Sequence, residues 1–198
     1  MNHDSYSDTY IRGILNTVKS IAMVGASEKQ NRPSYFAFKY LLEHGYNMIP
    51  VNPGHDGQSM LGRRFYARLA DVPEPIDMVD IFRASRYALS VVQEVLALKP
   101  RPQAIWMQLG VRNDEAAALA EAAGLKVVMN RCPKIEYGRL SSEIGWMGVN
   151  TRTITSKKAM TTGGIQRLSL NRTSARGGTT EAAAAAEREQ GEAEGSRS

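Results

Sequence analysis

Five short apolar runs, each followed by a helical pattern or a polar break, constrain this chain most. They are Ile21–Val24, Tyr46–Val51, Met78–Phe82, Ala104–Met107 and Leu125–Met129. Runs of this length with no polar alternation suit strands buried on both faces. Strands alternating with helical segments predict a parallel sheet joined by right-handed crossovers. The expected fold is α/β: a Rossmann-like, doubly wound, mostly parallel five-stranded sheet with helices on both faces.

The helical segments carry their own punctuation. Pro33 opens one that runs to His44, with Phe36, Tyr40 and Leu41 on one face and Gly45 as its stop. Ser85 is the expected cap of a helix reaching Leu98, whose stripe is Val91, Val92, Val95 and Leu96. Asn113 caps a third, ending at Ala123. Ahead of the sheet, Tyr10–Val18 forms an amphipathic helix with Ile11, Ile14, Leu15 and Val18 on one side, expected to pack on the sheet edge. A short extended piece is expected over Arg64–Ala67, and a short helix within Pro133–Trp146 with Trp146 and Met147 buried. From about Ser156 large apolar residues nearly vanish, which predicts a disordered tail. The expected organisation is an N-terminal helix over 1–19, a sheet domain over 20–155 and a tail over 156–198.

Composition narrows the setting. A single cysteine, Cys132, cannot form an internal disulfide and fits a reducing cytoplasm. No run of about 18 apolar residues is present to span a membrane. The net charge is +5, and the residues from Ala159 onward contribute five arginines and five glutamates, so the excess lies before them. Arg63-Arg64 and Lys157-Lys158 are isolated basic pairs rather than a stripe interleaved with aromatics. Nucleic acid is therefore not the expected partner.

In an open parallel sheet, ligands bind beyond the carboxyl ends of the strands. Those ends carry Gly25-Ala26-Ser27 and a basic loop, Asn52-Pro53, Arg83-Ala84-Ser85, Gln108-Leu109-Gly110 and Asn130-Arg131-Cys132. They predict an electropositive rim without a carboxylate. The first is the most telling: a glycine turn, then Lys29 and Arg32, then a helix opening at Pro33. A helix start presents unpaired N–H groups and a partial positive charge, which suits phosphate.

Two familiar phosphate motifs are absent. No glycine follows Gly25 until Gly45, so there is no Gly-x-Gly-x-x-Gly, and there is no P-loop. About 20 residues on, where an NAD enzyme places an acid for the ribose, the second strand ends in Val51-Asn52-Pro53 instead. That points away from NAD and leaves NADP open.

These residues carry a resemblance. Val24-Gly25-Ala26-Ser27, Arg32-Pro33-Ser34-Tyr35, Gly45-Tyr46, Pro50-Val51-Asn52-Pro53, Asp77 to Arg83 and Trp106-Met107-Gln108-Leu109-Gly110-Val111 resemble the small, single-domain CoA-binding protein family. That family is similar to the CoA-binding domain of the succinyl-CoA synthetase alpha subunit. The resemblance covers about residues 10 to 145 and implies coenzyme A, free or acylated, with its ADP portion at the strand ends. It implies Gly25, Ala26 and Ser27 near phosphate, flanked by Lys29, Arg32 and Ser34. Asn52 and Pro53 would border the adenosine part, and Phe82, Arg83, Gln108 and Gly110 the pantetheine path.

Catalytic groups are scarce. None of His3, His44 and His55 resembles the phosphorylated histidine of synthetase-type ligases, His55 with Asp56 is a weak base-and-orienter candidate, and no metal-ligand spacing occurs. Cys132, after Arg131, is the one reactive candidate; the expected reading is a small buried residue at a strand end, with a thiol activated by the arginine as the alternative. The expectation is a non-catalytic or regulatory coenzyme A-binding module, cytoplasmic and with a homodimer possible through Tyr10–Val18. The alternative is an NADP-dependent or other nucleotide-using enzyme; a nucleic-acid adaptor is the weakest reading.

Overall fold

The computed structural model describes residues 1–141. The tail and the expected burial of Trp146 and Met147 lie outside the described residues. Five strands, β1 (Ser20–Val24), β2 (Asn47–Val51), β5 (Met78–Ile81), β6 (Ala104–Met107) and β7 (Lys126–Val128), form one parallel sheet in the order β2-β1-β5-β6-β7. Between β1 and β2 the chain passes through helix α2 (Pro33–Glu43). Between β2 and β5 lies a small antiparallel hairpin of β3 (Ser59–Met60) and β4 (Arg63–Arg64). Helices α3 (Ala88–Ala97) and α4 (Asp114–Ala122) follow β5 and β6, and α5 (Pro133–Leu140) follows β7.

The continuous apolar runs are explained by two cores. Alternate strand residues Ala22, Val24, Ile49, Val79, Ile105 and Val127 pack under α3 and α4. Their neighbours Ile21, Met23, Met48, Met78, Trp106 and Val128 pack under α1 (Asp8–Thr17), α2 and α5. A strand between two layers has no polar side, so its sequence shows no alternation. The connections reverse direction between β1 and β5: chain leaves β1 toward β2, and leaves β5 toward β6 on the opposite side. The crevice at such a reversal is where doubly wound sheets bind ligands.

Three expectations change. α1 does not sit on the sheet edge alone: Ile11, Ile14 and Leu15 are buried in the core over one face. That apolar side is used within the chain, which removes the reason given for a homodimer. On α2 the buried positions are Ser34, Ala37, Phe38 and Leu41, while Phe36 is 52% exposed. The i, i+3, i+4, i+7 series starting at 34 faces the sheet, and 36 points away from it. Ser85 does not cap α3; it opens a 3-10 turn, Ser85–Tyr87. Its hydroxyl instead accepts the Arg112 N–H at 3.1 Å, joining the loops after β5 and β6. The expected piece at Arg64–Ala67 is β4 plus a bridge from Tyr66 to Val51. Asn113 does cap α4, accepting the Ala116 N–H at 2.8 Å.

The segment before β1 also closes an open sheet edge. Tyr10 Oη accepts from Val127 N at 3.0 Å and donates to Val127 O at 3.2 Å, and Tyr6 Oη accepts from Met129 N at 2.7 Å. Two hydroxyls thus do for β7 what a further strand would do. Burial raises the pKa of both phenols, so they remain neutral donors. Replacing both by Phe leaves these edge groups unpaired at a cost of ~1 kcal/mol each. Urea denaturation should show that loss, and amide exchange at Val127 and Met129 should quicken; unchanged exchange there would count against the role given to these tyrosines.

Candidate functional site

The chain ends of β1, β2 and β5 are bonded into one rim. Gly25 N donates to Val51 O at 2.8 Å, and Phe82 N donates to Val24 O at 2.8 Å. Gly25 has φ +90°, and a Cβ there would lie 2.6 Å from Phe82 O and 3.0 Å from Arg83 Cδ. The glycine is therefore demanded by the protein's own packing. Asn52 fixes the same turn: its Nδ2 donates to Ala26 O at 2.8 Å and its Oδ1 accepts the Gly54 N–H at 3.1 Å.

Beside this rim lies a cleft of about 380 Å³, lined by Gly25, Ser27, Lys29, Arg32, Pro33, Ser34, Asn52, His55 and Phe82. The start of α2 opens into it. Arg32 holds the N-cap position without a capping hydrogen bond, Pro33 takes the first helical position, and no acidic residue sits in the first turn. Helix dipole, Lys29 and Arg32 thus act with one sign on the same space.

Seven of the expected residues meet here: Gly25, Ser27, Lys29, Arg32, Ser34, Asn52 and Phe82. Five do not line the cleft. Ala26 is fully buried and contributes only its carbonyl to Asn52. Pro53 starts a 3-10 turn, Pro53–His55. Arg83 lies over the Tyr87 ring at 4.8 Å. Gln108 is buried and donates to Asp80 Oδ2 at 3.2 Å. Gly110 gives its N–H to Asn130 Oδ1 at 2.8 Å.

The cleft also holds a residue that the sequence reading considered only as a base oriented by Asp56. His55 lines it, four positions beyond the β2 end. Its partner is not the adjacent Asp56. Glu28 Oε2 lies 3.0 Å from His55 Nδ1 without meeting hydrogen-bond geometry. Gln58 Oε1 is 3.3 Å from the same nitrogen. The expected rim without carboxylates is thus wrong at Glu28, which lies within the basic loop itself.

A family profile described as CoA binding domain matches residues 19–138. The chain belongs to the CoA binding domain family. An uncharacterized protein, YneT, of Bacillus subtilis (strain 168) is 34% identical over 131 residues, 66% of this chain and 94% of that protein. The alpha subunit of acetate–CoA ligase (ADP-forming) I of Pyrococcus furiosus is 32% identical over 80 residues, 38% of this chain and 17% of that subunit. A solved hypothetical protein from Pyrococcus horikoshii OT3 superposes with TM-score 0.66 at 39% identity, covering 71% of this chain and 96% of that one.

A second cluster of this CoA-binding domain lies on the α1–α2–α5 face of the sheet. Asp80, in the middle of β5, is wholly buried, and only its Oδ2 has a partner. Burial pushes its pKa up to about 8, against a smaller lowering by the Gln108 amide. Cys132 is half-buried at the N-cap of α5. Burial pushes its thiol up, opposed by the Ile135 and Lys134 N–H groups and by Gln108, with Asp80 adding to the rise. This agrees with the expected buried residue and not with the alternative of activation by Arg131, whose guanidinium lies over the Tyr6 ring at 5.8 Å.

Among the described residues, no group of His, Cys, Asp and Glu is arranged to hold a metal ion. Asp80 keeps its proton to about pH 8 when folded and loses it near pH 4 when unfolded. The unfolded chain then holds fewer protons across that window, so stability falls as pH rises from about 4 to about 8. Asp80→Asn keeps an acceptor for Gln108 and a neutral group. Its gain over the native chain in denaturation midpoint free energy should grow by ~1 kcal/mol or more between pH 5 and pH 8. A difference independent of pH would contradict an uncharged Asp80.

Proposed function

We propose that this domain holds coenzyme A, or an acylated form of it, by its ADP end and acts as a binding or regulatory module rather than a catalyst. The observation that carries the reading is the uncapped, acid-free start of α2 opening into a cleft with Lys29 and Arg32, in a chain of the CoA binding domain family. The diphosphate sits against the turn at Gly25–Ser27 and the first turn of α2. The adenosine part lies at the end of β2 by Asn52 and His55. The pantetheine arm leaves past Phe82 toward Gln108 and Gly110.

Each helix-end contact contributes ~0.3–1 kcal/mol, and each charge-assisted hydrogen bond ~1.5–3 kcal/mol. Two cations and a helix start therefore supply useful affinity with no deep apolar pocket. The polar side chains lining the cleft are the Lys29 and Arg32 cations, the Ser27 and Ser34 hydroxyls, the Asn52 amide and the His55 imidazole, a set rich in donors to an anion. The ligase subunit shares only 17% of its length with this chain, so a shared ligand holder explains the match without its whole activity.

Calorimetry with coenzyme A, dephospho-coenzyme A, NADP and ADP tests the reading. Coenzyme A should bind tightest, and Arg32→Ala should weaken it about tenfold, which is ~1.4 kcal/mol. Tighter binding of NADP would replace this reading with that of a nucleotide-using enzyme.

A further inference from the structure

Asp80 interrupts an otherwise apolar strand: Met78, Val79 and Ile81 of β5 are fully buried hydrophobic residues, and Asp80 is as deeply buried as they are, at 0% exposure. Strand register sets it between Met23 of β1 and Trp106 of β6. A carboxyl there gives up its hydration and recovers one hydrogen bond, from Gln108 Nε2 to Oδ2 at 3.2 Å, while Oδ1 has no partner. An apolar side chain of the same shape would escape that loss. Stability alone therefore does not account for Asp80.

The one bond it makes decides which way the Gln108 amide faces. The Nε2 end is turned inward onto Asp80. Among the described residues, the only buried side-chain polar atoms without a partner are Glu28 Oε2 and Asp80 Oδ1. Gln108 Oε1 also accepts from no described residue, so it is reached by solvent although the residue as a whole is buried. Backbone bonds fix the rest of the residue: Gln108 N donates to Ile81 O at 3.3 Å, and Gln108 O accepts from Val111 N at 2.8 Å. Gln108 thus follows β6 at the carboxyl edge of the sheet, one strand beyond Phe82, which is a wall of the cleft. The two ends of an amide are alike in size, so without Asp80 this one is free to turn over.

We propose that Asp80 is a positioning residue: it holds the Gln108 amide with its oxygen toward the ligand path, where that oxygen accepts an N–H from the pantetheine arm of coenzyme A. This rests on the reading of the cleft given above. The arm carries two secondary amides, each with one N–H, and a fixed carbonyl oxygen suits either of them. The amide turned over would set donor against donor. Burial pushes the Asp80 pKa up to about 8, so at neutral pH the carboxyl brings no charge into the core. Its proton then belongs on the unpartnered Oδ1, which leaves Oδ2 as the acceptor for Gln108.

Calorimetry of the full chain with coenzyme A and with 3′-phospho-ADP, the same molecule without its pantetheine arm, tests this role. The native chain should bind coenzyme A the more tightly. Asp80→Leu has the same branching and no acceptor. It should weaken coenzyme A about fivefold, the worth of one hydrogen bond, and leave 3′-phospho-ADP unchanged. Asp80→Asn, which keeps an acceptor for Gln108, should bind both ligands as the native chain does. Gln108→Leu should lose the same factor as Asp80→Leu, and the double substitution no more than either. A purely structural role would change stability without separating the two ligands. Equal losses for both ligands, additive losses at 80 and 108, or a defect in Asp80→Asn equal to that of Asp80→Leu would overturn the proposal. Should Asp80→Leu not fold, NMR of the native chain decides: the Gln108 Nε2 protons should be protected from exchange with and without coenzyme A, and rapid exchange in the free chain would overturn the role. A chain that binds coenzyme A and 3′-phospho-ADP equally overturns the role of Asp80 and leaves the cleft reading standing. A chain that binds neither overturns both.

Discussion

With no Cβ at Gly25, the end of β1 closes against the backbone at Phe82 to a distance that an added carbon, 2.6 Å from the Phe82 carbonyl, could not share. That approach locks together the exits of β1 and β5, where the sheet order reverses. It sets the direction of the loop through Ser27 and Lys29, and so the place where α2 begins. Asn52 then ties the Ala26 carbonyl to the end of β2. A larger residue at 25 would strain the backbone at φ +90° and also push the cleft wall outward. The candidate site is thus a consequence of how three strands terminate.

The electrostatics of the cleft are mixed rather than uniformly positive. Lys29, Arg32 and the start of α2 attract an anion, while Glu28 offsets part of that and pairs with His55. Deeper in the fold, Asp80 avoids the cost of a buried charge by keeping its proton. Its only hydrogen-bond partner is Gln108, which follows β6. Two helix starts, of α2 and of α5, face the same edge of the sheet: one bordered by cations and one holding sulfur.

Most of the fold was legible because strands buried on both faces leave continuous apolar runs, and because Pro33, Gly45 and Asn113 mark helix ends locally. Of the hairpin β3–β4 only the second half was legible, as the extended piece at Arg64–Ala67, since two-residue strands around Leu61-Gly62 leave no periodic pattern; Met60 and Phe65 are its buried residues. Phe36 misled because an aromatic residue was assumed to face inward, whereas the sheet selects Ala37 and Phe38. Ser85 had the chemistry of a cap, but Arg112 N from the neighbouring loop claimed its hydroxyl. Seven expected residues come together at the cleft because they follow three adjacent strand ends, those of β1, β2 and β5. His55 was read only beside Asp56 and not as a cleft residue, because its neighbour Glu28 lies on a different loop, and proximity across loops leaves no mark in local sequence. Gln108 was legible as polar but not as buried, because its partner Asp80 is hidden inside an otherwise apolar strand.

The central claim is that the backbone at the turn after β1 and the first turn of α2 receives the phosphates of coenzyme A. Amide chemical shifts of the native chain, followed by NMR during titration with coenzyme A, test it most directly. The account predicts the largest changes at Gly25, Ser27, Lys29 and Ser34, with little movement along α3 and α4. Saturating binding that leaves those four amides in place while shifting residues on the opposite face would contradict it.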